Sequence, residues 1–267
     1  MSFFPIGSLY VVRMKNVKES LTDLAEVADA VEESWSIGAH EIEERALFFC
    51  DTSTESATAI ATAAKALDLD DRLLWDWSKA IPGSDAIGLA LRYDKKSVRL
   101  YNQYWVAIAA RVQGGDSSPF ALYLGFKSLP DGTVRRDSYM CTPAAAPDVF
   151  WPHLSTCFTD FGLDKDQAQA VFRDLNAETA IFTQTAGDAR QSWLTTVRRA
   201  TIDRTALADW MAPLAKREGG SVIIDAARRS DLVHVAGGQD RTKGAFISFY
   251  FESDAQTVLS KLAAQNG

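Results

Sequence analysis

Several stretches of this sequence alternate apolar and polar side chains, and the polar members are groups that could hold an anion or move a proton. From Val98 onward, Arg99, Tyr101 and Gln103 alternate with Val98, Leu100 and Tyr104. Arg135, Asp137 and Tyr139 share a face of a second stretch, and Tyr123 and Lys127 share a face of a third. Nearer the start, Glu32, Ser34 and Ser36 alternate with Val31, Trp35 and Ile37, and near the end Ser248 and Tyr250 alternate with Phe249 and Phe251. Residues two apart on a strand point the same way, so each set forms one coherent face. Turned to solvent, these would be the outer faces of half-exposed antiparallel sheets. Turned inward under a coat of helices, they would line a pocket rich in arginine, lysine and tyrosine, with few carboxylates. Such a pocket suits a polyanion such as a diphosphate.

Other chemistries find less support. His40, His153 and His234 are far apart and show no metal-ligand spacing with each other or with cysteine, which argues against a zinc site. No Gly-x-Ser-x-Gly elbow, Walker loop or dinucleotide glycine pattern occurs. Gly237-Gly238 reads as a turn at the end of a strand. Asp68, Asp70 and Asp71 lack the spacing of an aspartate-rich diphosphate motif and read as a solvated helix end. Trp35, Trp151 and Trp210 read as packing residues.

Faces need elements to carry them, and the chain is long enough to build these. It has 267 residues, 47% of them hydrophobic, with 28 Lys and Arg against 35 Asp and Glu, a net charge of −7 and a pI near 5.1. The acidic balance argues against general nucleic-acid binding, while a basic lining could still lie inside an acidic shell. The widely spaced Cys50, Cys141 and Cys157 suggest a reducing cytoplasm. No apolar run is long enough to span a membrane, and Met1–Pro5 does not begin like a secretory signal. With no linker-like segment, residues 1–267 are expected to form a single domain.

The periodicity predicts a helix from Val17 to Ala30, capped by Asn16, then strands Val31–Ile37 and Arg45–Asp51 and a helix Thr54–Leu67. Hairpins are expected at Ile87–Tyr93 with Ser97–Trp105, at Phe120–Lys127 with Thr133–Cys141, and at Thr179–Thr185 with Gln191–Ala200. Helices are expected at Pro147–Phe161, Asp164–Leu175, Thr205–Lys216 and Ala255–Ala264, and strands at Ser221–Ala226, Leu232–Ala236 and Ala245–Phe251. Hairpins alternating with helices imply antiparallel pairing, and about ten strands in one domain would curl and close. The expected fold is α+β: a closed antiparallel β-barrel of about ten strands with a polar lumen, surrounded by α-helices.

Four stretches resemble the aromatic prenyltransferases built from αββα repeats, known as the ABBA type, and in particular the peptide-modifying branch of cyanobactin biosynthesis. They are Val31–Ile37 with Arg45–Asp51, Ile87–Arg92 with Ser97–Tyr101, Leu124–Lys127 with the returning strand to Tyr139, and Val233–Gly238 with Lys243 and Phe249–Phe251. The resemblance lies in order, spacing and residue type, and it spans most of the chain. It implies transfer of an isoprenyl group from a diphosphate donor to a nucleophile. Arg45, Arg92, Arg99, Lys127, Arg198 and Lys243 would then hold the diphosphate, with Mg²⁺ bound mainly through the donor. Tyr101, Tyr139 and Tyr250 would screen the allylic cation, and Glu32, with Glu33 as the alternative, would be the general base. The acceptor reading that follows is a side chain of a ribosomally made peptide, linear or cyclic, modified in the cytoplasm by a monomer. The alternatives are a free indole or phenol, or a non-catalytic barrel that binds a small anion.

Overall fold

The computed structural model describes residues 16–39, 41–94, 96–129, 131–186, 190–240 and 244–264. Lys243, His40, Met1–Pro5 and the turn residues Lys95, Pro130 and Gly187-Asp188 lie outside the described residues.

Helix α1 (Val17–Glu26) starts where Asn16 accepts a hydrogen bond from the Glu19 amide. Strands β1 (Ala30–Ile37) and β2 (Ile42–Asp51) follow, then helices α2 (Thr54–Ala66) and α3 (Asp71–Ala80). Next come β3 (Ala86–Arg92), β4 (Val98–Gln103), α4 (Val106–Gln113), β5 (Phe120–Ser128) and β6 (Val134–Thr142). Helices α5 (Pro147–Asp160) and α6 (Lys165–Val171) precede β7 (Ile181–Ala186) and β8 (Arg190–Thr196). Helices α7 (Arg204–Met211) and α8 (Ser221–Arg229), with a 3₁₀ turn Ala212–Lys216 between them, lead to β9 (Leu232–Asp240), β10 (Gly244–Ser253) and α9 (Ala255–Ala264). All ten strands are antiparallel, and β1 pairs with both β2 and β10, so the sheet closes as a barrel. Every hairpin turn falls at one end of the barrel and every helical connection at the other.

The apolar core lies outside this barrel. Phe48 of β2, Leu89 of β3 and Leu100 of β4 pack against Leu24, Ile60, Leu73 and Trp77 of α1–α3 and against Val258 of α9. On the other side Trp35, Phe182, Val235 and Phe249 meet Phe150 and Phe158 of α5, Trp210 of α7 and Ile223 of α8. Each of these large side chains contributes about 1.5–3 kcal/mol by its burial. Trp35 and Trp210 are packing residues, as is Trp151, half-buried against the second patch. Among the described residues no helix is long and apolar enough to cross a membrane.

Three expectations are corrected. Ser221–Ala226 is not a strand but the first part of α8: Ile223, Ile224, Ala226 and Ala227 are its buried residues, a helical spacing that a short apolar run hides. Gly237-Gly238 is not a turn but lies inside β9, opposite Ile247 and Phe246 of β10. A Cβ on Gly237 would come within 2.5 Å of Cys157 Sγ and 2.8 Å of the Trp193 ring, so glycine is needed there for close helix–strand approach. Strand β8 ends at Thr196 rather than Ala200. The acidic cluster is a helix boundary as read, since Asp70 caps α3 through the Arg72 amide.

One outward-facing group fixes the strand that carries Glu32. Glu33 points away from the lumen and accepts hydrogen bonds from Tyr93 at 2.6 Å and from Lys261 of α9 at 2.5 Å. Burial pushes the Lys261 amine down, but Glu33 and Glu44 more than reverse this, so its pKa lies above its ordinary 10.5. A raised amine pKa gives stability that is complete below the unfolded value and lost as pH rises through the folded one. Lys261→Met is expected to cost about 1–3 kcal/mol in urea unfolding at neutral pH, less than a fully buried pair because the amine keeps solvent contact. The difference from wild type should close only above about pH 10.

Candidate functional site

The alternation that sends apolar residues out to the helices sends the polar ones into the barrel. The lumen holds a cavity, and Glu32, Arg45, Arg92, Arg99, Lys127, Tyr101, Tyr139 and Tyr250 all line it. Eight of the expected site residues therefore converge, from seven different strands.

The cations gather toward the hairpin end. Arg45 and Arg92 are direct cross-strand neighbours, as are Arg99 and Lys127, and Lys127 and Arg135. Like charges opposite one another repel, and carboxylates separate them. Glu43 accepts from Arg45 Nη2 at 2.5 Å and from Arg92 Nη1 at 2.6 Å. Asp137 lies 3.0 Å from Arg99 and 3.6 Å from Arg135, which is also 3.6 Å from Asp240. The lumen thus holds more carboxylates than the sequence led us to expect. Burial opposes the charge on Arg99, but Tyr101, Tyr139 and Asp137 hold its guanidinium pKa well above the usual value. It donates to Tyr139 Oη at 2.5 Å and reaches Tyr101 Oη at 3.4 Å.

Aromatic rings occupy the middle of the lumen. Tyr101 lies 6.1 Å from Phe49, and Tyr123 meets Tyr139 edge-on at 6.0 Å. Gly125 leaves the space between them open: a Cβ there would touch Tyr139, Arg99 and Tyr101 at 3.4–3.6 Å. Burial pushes the Tyr123 phenol well above its usual pKa, and Cys141 and Glu32 add to this.

Glu32 lies deeper, pairing across to Leu47, whereas Arg45 pairs one row nearer the hairpins with Ser34. It is 5% exposed; Oε1 stands 3.5 Å from His234 Nε2, and Oε2 is buried with no hydrogen-bond partner. Glu32, not Glu33, is therefore the glutamate of this pair that faces the cavity.

Arg198 is not brought to the site. It follows the end of β8, at the opposite end of the barrel from the cation cluster, is 55% exposed, and pairs with Glu252 at 2.6 Å. The sequence reading extended β8 by four residues, which placed Arg198 on a strand. It also missed Glu43, because the strand was begun at Arg45, although Glu43 lies two residues earlier on the same face. Arg135 and Tyr123 were seen on polar faces without being given a role, and His234 was weighed only as a metal ligand.

The mouth can neutralise a polyanion with the protein's own charges. Among the described residues no group of three or more His, Cys, Asp or Glu side chains is placed to hold a metal ion, and Glu43, Asp137 and Asp240 all engage arginine. Calorimetric titration with inorganic diphosphate should show binding that weakens with salt. Arg99→Met is expected to weaken it by about tenfold or more, as loss of a charged hydrogen bond does, and Arg198→Met to leave it unchanged.

The sequence matches no family model and no curated protein. Solved structures with a similar fold include 5-dimethylallyltryptophan synthase from Streptomyces coelicolor, at 16% identity and a TM-score of 0.51, covering 90% of this chain and 91% of that one. PriB in its binary complex with product diphosphate aligns at 15% identity and a TM-score of 0.52, covering 90% and 97%. A 6-dimethylallyl tryptophan synthase aligns at 13% identity and a TM-score of 0.53, covering 90% and 96%. The chain carries the ten-stranded, helix-coated barrel of the ABBA-type prenyltransferases.

Proposed function

We propose that this protein is a prenyltransferase that moves an isoprenyl group, dimethylallyl or longer, from its diphosphate to a side chain of a ribosomally made peptide, linear or cyclic. The observation that carries this reading is the lumen's order: paired cations toward the hairpin end, tyrosines in the middle, and a buried carboxylate with one unpartnered oxygen deeper in. The donor's C–O bond breaks and its electron pair leaves with the diphosphate, which Arg45, Arg92, Arg99 and Lys127 receive. Tyr101, Tyr139 and Tyr250 face the allylic fragment with electron-rich rings and keep water from it. The acceptor's electrons form the new bond to the allylic carbon, and its proton passes to Glu32 Oε2.

Lys243, in the β9–β10 connection, is assigned to the diphosphate on the resemblance alone, and Arg198 is left out of that role. Mg²⁺ supplies further charge neutralisation when it arrives with the donor, and the protein's own cations do the rest. Chelation with EDTA is accordingly expected to reduce turnover without abolishing it. Three free, buried cysteines fit the reducing cytoplasm in which a monomer is proposed to act.

A free aromatic acceptor is the second reading, favoured by the tryptophan-prenylating enzymes among the structural neighbours. Mass spectrometry after incubation with five-, ten- and fifteen-carbon donors decides between them, using peptides containing Trp, Tyr or Ser in parallel with free tryptophan. We expect a gain of one isoprenyl unit on a peptide. Modification of free tryptophan alone would select the second reading, and no product with any pair would return the chain to a non-catalytic, anion-binding barrel. Glu32→Gln should lower kcat by about 10²–10⁴-fold and leave donor binding intact.

A further inference from the structure

The unpartnered oxygen of Glu32 has a geometric cause. The three side chains involved come from three strands: Glu32 from β1, His234 from β9 and Thr196 from β8. Both ring nitrogens of His234 face a partner, Nδ1 at 2.9 Å from Thr196 Oγ1 and Nε2 at 3.5 Å from Glu32 Oε1. Tyr250, on the intervening β10, meets the ring edge-on at 5.5 Å.

The chemistry selects one direction for these contacts. A neutral imidazole carries one N–H, and a lone pair at Nε2 would repel the facing carboxylate. The favourable arrangement has Thr196 donating its hydroxyl to Nδ1 and His234 directing Nε2–H at Glu32 Oε1. At 3.5 Å the imidazole steers the carboxylate without forming a full hydrogen bond. The other charged neighbour, Glu252, sits directly across from Glu32 on β10 and is drawn off by Arg198.

We propose that His234 is a positioning residue: held by Thr196, it turns Oε1 of Glu32 toward itself and so presents Oε2 to the acceptor's proton. This rests on the reading of Glu32 as the base. A buried oxygen with no donor is costly to maintain, and a neighbour on the other oxygen fixes the rotamer of the carboxylate beside the cavity that Glu32 lines.

The test is steady-state kinetics with dimethylallyl diphosphate and the peptide panel with free tryptophan, alongside thermal melts. His234→Phe is expected to lower kcat by about 10–100-fold, the scale on which a misplacement of roughly 1 Å acts, with the donor KM unchanged. His234→Gln, whose amide can reach toward Oε1, should recover most of the loss, and Thr196→Val should lose part of it. Should His234→Phe fail to fold, Thr196→Val and His234→Gln carry the comparison. Wild-type kcat in His234→Phe beside an inactive Glu32→Gln would overturn the positioning role and leave the base standing. So would a folded His234→Gln no better than His234→Phe. Full activity in Glu32→Gln, or no wild-type turnover on any probe, would overturn the base or the proposed reaction itself, and this inference with it.

Discussion

Closure of the sheet is the constraint on which the rest depends. Because β1 pairs with both β2 and β10, the strands have no free edge, and every second residue of each strand is committed to a space that helices cannot enter. In small barrels aliphatic side chains fill that space. Here Phe48, Leu89, Leu100, Val235 and Phe249 all point outward, and the helices bury them. The helical coat thereby supplies the hydrophobic stabilisation, and the lumen is released from packing duty. That division lets Gly125, Ala90 and Ala236 leave room inside without weakening the core.

A lumen filled with arginine has to solve an electrostatic problem before it can bind anything. Desolvated like charges in neighbouring strands repel, and Glu43 between Arg45 and Arg92 and Asp137 between Arg99 and Arg135 resolve this locally. The carboxylates would act as internal place-holders for the proposed donor, whose diphosphate would offer the guanidinium groups a second set of oxygens. Paired cations are also held in fixed rotamers, so less side-chain freedom is lost when the anion enters. The same logic operates around Glu32, where Arg198 removes the repulsion of Glu252 from outside the cavity. A residue that the sequence reading placed among the anion contacts thus serves the charge balance at the other end of the barrel.

How far this could be read from sequence follows from what alternation encodes. Period-two patterning in Val98–Gln103 and Val134–Thr142 fixed which residues share a face, and antiparallel hairpins between helices implied closure, so the barrel and most of its lining were legible. Strand ends are set by tertiary pairing rather than by pattern, and both site errors occur there: β2 begins before Arg45 and thus carries Glu43, while β8 stops before Arg198. Helix α8 was hidden because the short apolar run at residues 222–224 reads as a strand, and the helical spacing of Ile223, Ile224, Ala226 and Ala227 emerges only when the segment is extended past Ala226. The choice between Glu32 and Glu33 required the outward ion pair with Lys261, and the His234–Thr196 contact requires two strands whose adjacency only the closed register reveals.

Depth within the barrel, finally, separates two demands that conflict in water. Departure of a diphosphate calls for concentrated positive charge, whereas loss of an acceptor proton calls for a carboxylate that those same cations would otherwise capture. Arg45 lies only one row from Glu32 across β1 and β2, yet its guanidinium is turned to Glu43 and Glu32 Oε1 to His234. Each potential short circuit between base and cation is therefore closed by a dedicated neighbour of opposite or complementary character. Between them, burial and nearby acids push the Tyr123 phenol well above its usual pKa, and the guanidinium of Arg99 donates to the Tyr139 hydroxyl. In the proposed reaction an allylic cation in this layer would meet aromatic rings, with the carboxylate of Glu32 deeper in the barrel, so that an acceptor held between ring and carboxylate would be favoured over water as nucleophile.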